Sequence, residues 1–276
     1  MAEAAAFVVH RNREDAKKAA LQMEEGLRGA GWHVFYPQRG ETSPACRIVI
    51  TFGGDGTLLV GARSAIRYGC PLLGIHLGTV GFLTEGDPEQ LKKLMTAVLN
   101  SAYTTERRGL LRVTVNRNRE SFLALNDAVV TRGGFARLIQ VETRVNQEHW
   151  GTFIADGVIA ATPTGSTGYS LSAGGPVVAP GVECMVITPV CAHSLQHCPC
   201  IVPRDVEIIF HLGEGREQRA ELQIDGQNMG MLEAGDSVRI TGADETLQLA
   251  RIGDYHFFQV LQTKLNEWSQ PRGETR

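Results

Sequence analysis

Two stretches of this 276-residue chain carry residues whose types and spacing could do chemistry. The first is Gly53-Gly54-Asp55-Gly56-Thr57, which follows an apolar run ending at Phe52 and precedes a helical pattern. Glycines let the backbone turn sharply and approach a ligand. Their N–H groups and the helix start present partial positive charge, and Asp55 stands among them as the only acid. Phosphate and a carboxylate would meet here. A carboxylate beside phosphates either binds Mg²⁺ or accepts a proton from an attacking hydroxyl, and both are parts of phosphoryl transfer. The plain structural alternative is a glycine-rich turn with a capping Asp.

The second stretch is Thr162-Pro163-Thr164-Gly165-Ser166-Thr167-Gly168-Tyr169-Ser170-Leu171-Ser172-Ala173-Gly174-Gly175-Pro176. So many hydroxyls directly after a strand suit a loop whose hydroxyls and amides bond a polar ligand, with Tyr169 as a stacking face. Leu171 and Pro176 argue against a flexible linker. A third segment, Gly74 to Glu85, carries Gly78 and Gly81 but lacks the G-x-G-x-x-G spacing of a dinucleotide fingerprint. Asn126-Asp127 and Asp156-Gly157 interrupt apolar strands with polar groups, which serve either as bulges and edge turns or as ligand contacts.

These residues need a scaffold, and the periodicity of the first hundred residues supplies one. Ala4 to Val9, His33 to Tyr36, Arg47 to Phe52 and Pro71 to Ile75 read as short strands; Glu14 to Leu27, Leu58 to Tyr68 and Asp87 to Leu99 read as helices. Apolar strands broken by helices imply a parallel, doubly wound α/β sheet. From about residue 102 the period becomes two. Strands are expected at Leu111–Asn116, Ser121–Val130, Leu138–Asn146, Thr152–Ala161, Glu183–Thr188, Val206–His211, Glu221–Asp225, Ser237–Thr241 and Leu247–Ile252, a β-sandwich. Tyr255 to Trp268 returns to helical spacing (Phe258, Leu261, Leu265, Trp268) and should pack back on the first domain. The expected domains are 1–101 plus 255–276, carrying the glycine motif, and 102–254, tightly coupled across a cleft.

Composition narrows the partners. A 43% hydrophobic, 21% charged chain has material for a core and is not disordered. The balance of 27 Lys+Arg against 30 Asp+Glu, without a block of like charge, offers no footprint for nucleic acid or an anionic membrane. Only Lys17, Lys18, Lys92, Lys93 and Lys264 are lysines, each in a helical stretch, so neither a P-loop lysine nor a Schiff base is available. The start MAEAAAFVVH has no signal-peptide pattern and no apolar run is long enough to span a membrane, so the expected location is the cytoplasm. The six cysteines read as reduced. Cys191, His193, His197, Cys198 and Cys200 raise a zinc alternative, but their spacing contains no C-x-x-C pair, and core or turn residues are favoured.

Taken in chain order, Gly53–Thr57, Gly74–Thr84, Asn126-Asp127, Asp156-Gly157, Thr162–Pro176, His193-Ser194-Leu195 and Asp225-Gly226-Gln227 resemble the NAD kinase family over roughly residues 46 to 230. The glycine motif alone is shared with phosphofructokinases and with diacylglycerol and sphingosine kinases; the hydroxyl loop makes the match specific. The resemblance implies phosphorylation of the adenosine ribose 2′-hydroxyl of NAD by ATP or polyphosphate, giving NADP, with Asp55 as catalytic base. It implies dinucleotide contacts at Gly53, Gly54, Gly56, Phe82, Asn126, Asp127, Arg137, Asp156, Thr164, Thr167, Gly168, Tyr169, Ser170, Leu171, Ser172 and Gln227. It also implies a need for Mg²⁺ or a similar divalent ion, for which no ligand residue is singled out, and a homodimer or homotetramer whose site borrows residues from a neighbour. Departures are Gly168 where members commonly have alanine, Ile154 where many bacterial members have arginine, and Ala192 to Cys200 where a Pro-His-Ser-Leu with a later Arg-Pro is usual. The competing readings are a lipid kinase of the diacylglycerol or sphingosine type, which should show a basic or apolar docking surface, and a nucleotide-binding regulator without catalysis.

Overall fold

A computed structural model describes residues 3–38, 46–78, 81–86, 88–117, 120–134, 137–193, 198–215 and 218–269. Thr79, Val80, Asp87, Ser194, Leu195, Gln196, His197 and the tail from residue 270, all named above, lie outside these. Two compact units comprise residues 1–107 with 247–276, and residues 108–246. The chain runs β1 (Ala4–Val9), α1 (Glu14–Gly29), β2 (His33–Phe35), β3 (Ile48–Phe52), α2 (Asp55–Tyr68), β4 (Leu72–Ile75), α3 (Leu91–Leu99) and β5 (Thr104–Val115). It continues through β6 (Ser121–Ala124), β7 (Asp127–Thr131), β8 (Ile139–Val145), β9 (Glu148–Ala155), β10 (Gly157–Ala161), a short helix α4 (Tyr169–Ser172), β11 (Cys184–Val190) and β12 (Cys200–Pro203). The last elements are β13 (Ile208–Leu212), β14 (Arg219–Ile224), β15 (Gln227–Glu233), β16 (Ser237–Arg251) and α5 (Phe257–Ser269).

In the first unit the strands lie in the order β2-β1-β3-β4, all parallel, and the end of β16 joins β4 through Leu249 and Leu72. Every residue of β3 is buried, as a strand covered on both faces requires. Ile48, Ile50 and Phe52 pack with Ala16, Ala20, Met23 and Leu27 of α1 and Leu91, Leu94 and Val98 of α3. Successive strand residues face opposite ways. Val49 and Thr51 accordingly meet α2, whose Gly61 is so close that an added Cβ would lie 2.3 Å from Thr51 Cγ2. Helices on both faces make this a doubly wound sheet. The carboxyl ends of β3 and β4 then lead into the two glycine segments, where ligands of such sheets bind.

The second unit is a sandwich. One sheet has six antiparallel strands in the order β12-β11-β10-β7-β14-β15; the other joins β16, β13, β8 and β9, with β5 pairing β16 and β6. Val130, Val158, Met185 and Leu222 from the first sheet meet Val113, Val141, Phe153, Phe210 and Ile240 from the second in one core. The outer face of the six-stranded sheet is also buried: Val129, Ile159, Ala161 and Val186 pack with Ala173 of the hydroxyl-rich segment and Val178 just after it. This double burial is why Gly157–Ala161 reads as an unbroken apolar run.

Several elements differ from expectation. Ser237–Thr241 and Leu247–Arg251 are parts of the single strand β16, which runs unbroken through the polar stretch between them. Ser121–Val130 divides into β6 and β7, and Thr152–Ala161 divides between β9 and β10, each break falling at the polar interruption. The edge strands β12 and β15 carry mixed, largely exposed residues and no alternation that would announce them. A 3₁₀ turn, Pro88–Gln90, precedes α3, which has no side-chain cap. In α5, Phe258 and Leu265 of the expected stripe are 71% and 43% exposed, Leu261 is part-buried, and Phe257 faces the Phe82 ring at 6.3 Å. The unit divisions fall inside β5 and β16, where the sequence places them at 101/102 and 254/255.

Candidate functional site

The first unit builds the acid. Asp55 opens α2 directly after the Gly53-Gly54 turn, and no side chain caps that helix. Its partly exposed carboxylate accepts two backbone N–H groups from the loop after β4: Phe82 N donates to Oδ2 at 2.9 Å and Leu83 N to Oδ1 at 3.2 Å. Gly81 makes this approach possible, since a Cβ there would lie 2.1 Å from Oδ1. Thr84 Oγ1 accepts the Gly81 N–H at 3.0 Å and closes the turn. Gly54 and Gly56 are exposed, Gly53 is buried, and Phe82 is 8% exposed with its carbonyl bonded by Tyr255 Oη at 2.9 Å. Each carboxylate oxygen has two acceptor positions, so these bonds fix the group and leave capacity for a hydroxyl donor.

The second unit builds a polar corner between β6 and β7. Asp225 accepts the N–H groups of Leu125 (3.0 Å), Asn126 (2.7 Å) and Asp127 (3.2 Å), and its own N–H returns to Asp127 O at 3.0 Å. On the other side, Asn126 O accepts Thr162 N at 2.8 Å, and Thr162 Oγ1 donates to Leu125 O at 2.6 Å. Gly165 presses against the same carbonyl: a Cβ there would sit 2.1 Å from Asn126 O. The Asn126 side-chain oxygen is buried with no partner among the described residues, which leaves it able to accept a ligand N–H or O–H. Asp127 shares the Val129 face of β7 and is 6% exposed. Burial first, then the Asp225 carboxylate, push its carboxyl up to about 7.

The hydroxyl loop is held together from within. Thr167 Oγ1 donates to Thr164 O at 3.2 Å, Ser166 Oγ donates to Pro163 O at 2.7 Å and accepts Val178 N at 2.9 Å, and Ser170 Oγ pairs with Thr188 Oγ1 at 2.8 Å. Arg108 Nη1 donates to Thr164 Oγ1 at 3.3 Å. These buried hydroxyls shape the loop from within. Tyr169 (44% exposed), part-exposed Leu171 and exposed Ser172 are its outward groups, and Gly168 carries its Cα close to the Asn126 amide, an added Cβ lying 3.8 Å from Nδ2.

The remaining expected residues are dispersed. Asp156 forms an ion pair with Arg132 at 2.5 Å, each about a third exposed; Arg137 is exposed before β8, and Gln227 is exposed at the start of β15. Asn126, Asp127, Gly165, Gly168 and Asp225 are brought together, while Asp55 and Phe82 form their own group in the other unit. Gly81, the Leu83 amide, Tyr255 and Arg132 were not anticipated as site residues, and Asp225 appeared only as part of a motif. Among the described residues no cluster of three or more His, Cys, Asp or Glu could hold a metal; Cys191 and Cys198 are exposed and Cys46 and Cys70 are buried free thiols. Mg²⁺ takes most of its oxygens from substrate phosphates and water, so this donor set is compatible with an ion that arrives with the phosphate chain. Among the described residues no helix is long and apolar enough to cross a membrane.

Comparison with known proteins converges on one family. The family models ATP-NAD kinase N-terminal domain and ATP-NAD kinase C-terminal domain match residues 39–103 and 125–252. The NAD kinase of Syntrophotalea carbinolica is 38% identical, with 94% of this chain and 96% of the relative covered. That of Sulfurimonas denitrificans is 39% identical, covering 82% and 78%. Among solved structures, an NAD kinase from Archaeoglobus fulgidus in complex with ATP superposes with a TM-score of 0.71 at 26% identity, covering 96% of this chain and 99% of that one. Yeast NADH kinase complexed with NADH shares the fold, with a TM-score of 0.86 at 24% identity and coverage of 99% and 90%. A glycine-framed acid on a doubly wound sheet, a sandwich carrying an Asn-Asp corner, and relatives aligned along most of its length make this chain an enzyme of the NAD kinase family.

Proposed function

We propose that this enzyme transfers a phosphoryl group from ATP, or from polyphosphate, to the 2′-hydroxyl of the adenosine ribose of NAD, giving NADP, with Asp55 as general base. The observation that carries the reading is the Asp55 carboxylate, pinned by two amides at the carboxyl end of the sheet beside a helix N-terminus. The ribose hydroxyl has a pKa far above seven, so the carboxylate orients it and takes its proton as the new O–P bond forms and the bond to the departing phosphate breaks. Such a base contributes about 10²- to 10⁴-fold. Backbone amides of the glycine turn and the α2 terminus face the phosphate charge, and Mg²⁺, when it comes with the donor, neutralises that charge further. The relatives' names support NAD as acceptor, and the Archaeoglobus complex with ATP supports ATP as donor.

On this reading the sandwich receives the adenosine part. Asn126 offers its unpartnered amide oxygen, Asp127 a carboxyl that is about half protonated at neutral pH and can both donate and accept, and Tyr169 an exposed ring. Arg137, Asp156, Ser172 and Gln227 are further contacts, and Phe82, Thr164, Thr167, Gly168, Ser170 and Leu171, with Gly53, Gly54 and Gly56, belong to the same proposed set. A dimer or tetramer belongs to the same proposal, and light scattering should return two or four times the 30.0 kDa chain mass.

The direct test incubates the protein with Mg-ATP and NAD and follows NADP. Asp55→Asn should bind NAD with unchanged affinity by calorimetry yet lose 10²- to 10⁴-fold in kcat. Full turnover in that variant refutes the base assignment. Phosphorylation of a diacylglycerol or sphingosine acceptor in place of NAD would select the lipid-kinase alternative.

A further inference from the structure

The loop that holds Asp55 is itself held by the C-terminal return of the chain. Tyr255 Oη donates to Phe82 O at 2.9 Å, and that carbonyl belongs to the same peptide unit whose N–H, on Leu83, donates to Asp55 Oδ1 at 3.2 Å. A donor on the carbonyl polarises the peptide and strengthens its N–H, so the bonds act in series. Beneath the Tyr255 ring lies the Arg251 guanidinium, 3.8 Å from the ring centroid. Arg251, 5% exposed, is bound to Glu85 at 3.0 Å and Glu106 at 2.9 Å. The second oxygen of Glu85 accepts Ile252 N and Gly253 N at 3.0 and 2.9 Å. Both flanks of the segment 81–86 are thereby tied to residues 251–255, all within one compact unit.

We propose that Tyr255 is a positioning residue for the catalytic carboxylate, acting through the Phe82–Leu83 peptide and seated by Arg251. The proposal rests on Asp55 being the base. Removing the Tyr255 hydroxyl leaves its ring on Arg251 and the ion pairs to Glu85 and Glu106 in place, so the fold is retained while the peptide whose Leu83 N–H donates to Asp55 loses the bond that anchors its carbonyl. A less firmly held peptide lets the carboxylate it seats shift, and misplacement of a catalytic group by about 1 Å can reduce a rate about 10²-fold.

The test is Tyr255→Phe, alone and combined with Asp55→Asn. Alone it should lower kcat about tenfold with the KM values for NAD and ATP within twofold of the parent, and hydrogen exchange should quicken at residues 81–86 but not at 125–127. In the Asp55→Asn background it should change the residual rate by less than twofold, because the group it positions is gone. A purely structural role would give the same fractional loss in both backgrounds. The proposal is overturned by that equal loss, by an effect on KM instead of kcat, or by unchanged kcat and exchange. Should Asp55→Asn leave no measurable rate, the kcat/KM split and the exchange pattern decide alone. An Asp55→Asn enzyme with full turnover defeats the base assignment; an impaired one beside a fully active Tyr255→Phe defeats only the positioning role.

Discussion

Asp127 shows how a single residue ties the site to stability. Its carboxyl titrates at about 7 in the folded chain, against about 3.9 for an unperturbed one, because burial and then Asp225 disfavour the charge. The folded state keeps a proton that the unfolded chain releases from about pH 4 upward. The stability this group contributes is therefore complete below about pH 4 and lost as pH rises through about 7. Asp127→Asn cannot ionise, so relative to the parent it should gain roughly 1–4 kcal/mol between pH 5 and pH 8 in urea unfolding. A difference that stays flat or falls over that range would contradict the assignment. At this scale sequence marks what is local: the turn that frames Asp55 is legible because its glycines are its neighbours. Asp225 did not reveal its task, since the Leu125 amide it holds is 100 positions away, and Tyr255 lies 173 positions from the carbonyl it bonds. No local spacing encodes such partners.

Elements reveal why the hydroxyl-rich segment is so rich. It is seated on the outer face of β10 and β11, where Ser166, Thr167 and Ser170 bond nearby backbone and Thr188 while Ser172 stays exposed. Composition correctly marked it as a structured loop. Which hydroxyls face a ligand depends on which side of the sheet the loop covers, and that side is set by packing. The seat depends on backbone contact at Gly165, where a methyl group would collide at 2.1 Å with the Asn126 carbonyl, which has no rotamer by which to move away. Gly165→Ala should therefore lower stability by about 2 kcal/mol or more. It should also weaken NAD binding at least tenfold, because the Asn126-Asp127 corner must shift with the loop. Calorimetric titration and thermal unfolding together check this; an unchanged affinity with a lowered Tm would separate the loop from binding. The continuity of β16, expected as two strands, and the edge strands β12 and β15 were not legible for a related reason: pairing partners, not residue preferences, hold them.

At the scale of the whole molecule, the chain order makes the two units unequal. The alternation of apolar strands with helices, and then the change to period two, made both fold classes readable from sequence, because each period follows from which faces are buried. The second unit is contiguous, residues 108–246, and its core draws on both of its own sheets. The first is interrupted, and its final strand and the Arg251 to Tyr255 clamp arrive only after the second has been made. Without that return, Glu85, whose side chain is 8% exposed in the intact fold, loses Arg251 and the Ile252 and Gly253 amides. Breaking such a pair costs about 3–5 kcal/mol, a large part of the 5–15 kcal/mol that holds a typical domain. Expressed alone, residues 108–246 should therefore unfold cooperatively with a β-type circular dichroism spectrum, whereas residues 1–107 should show no cooperative transition until a peptide of residues 247–276 is added. A sharp melt of 1–107 by itself would mean that its parallel sheet is self-sufficient and that the returning segment serves the site without being needed for the fold.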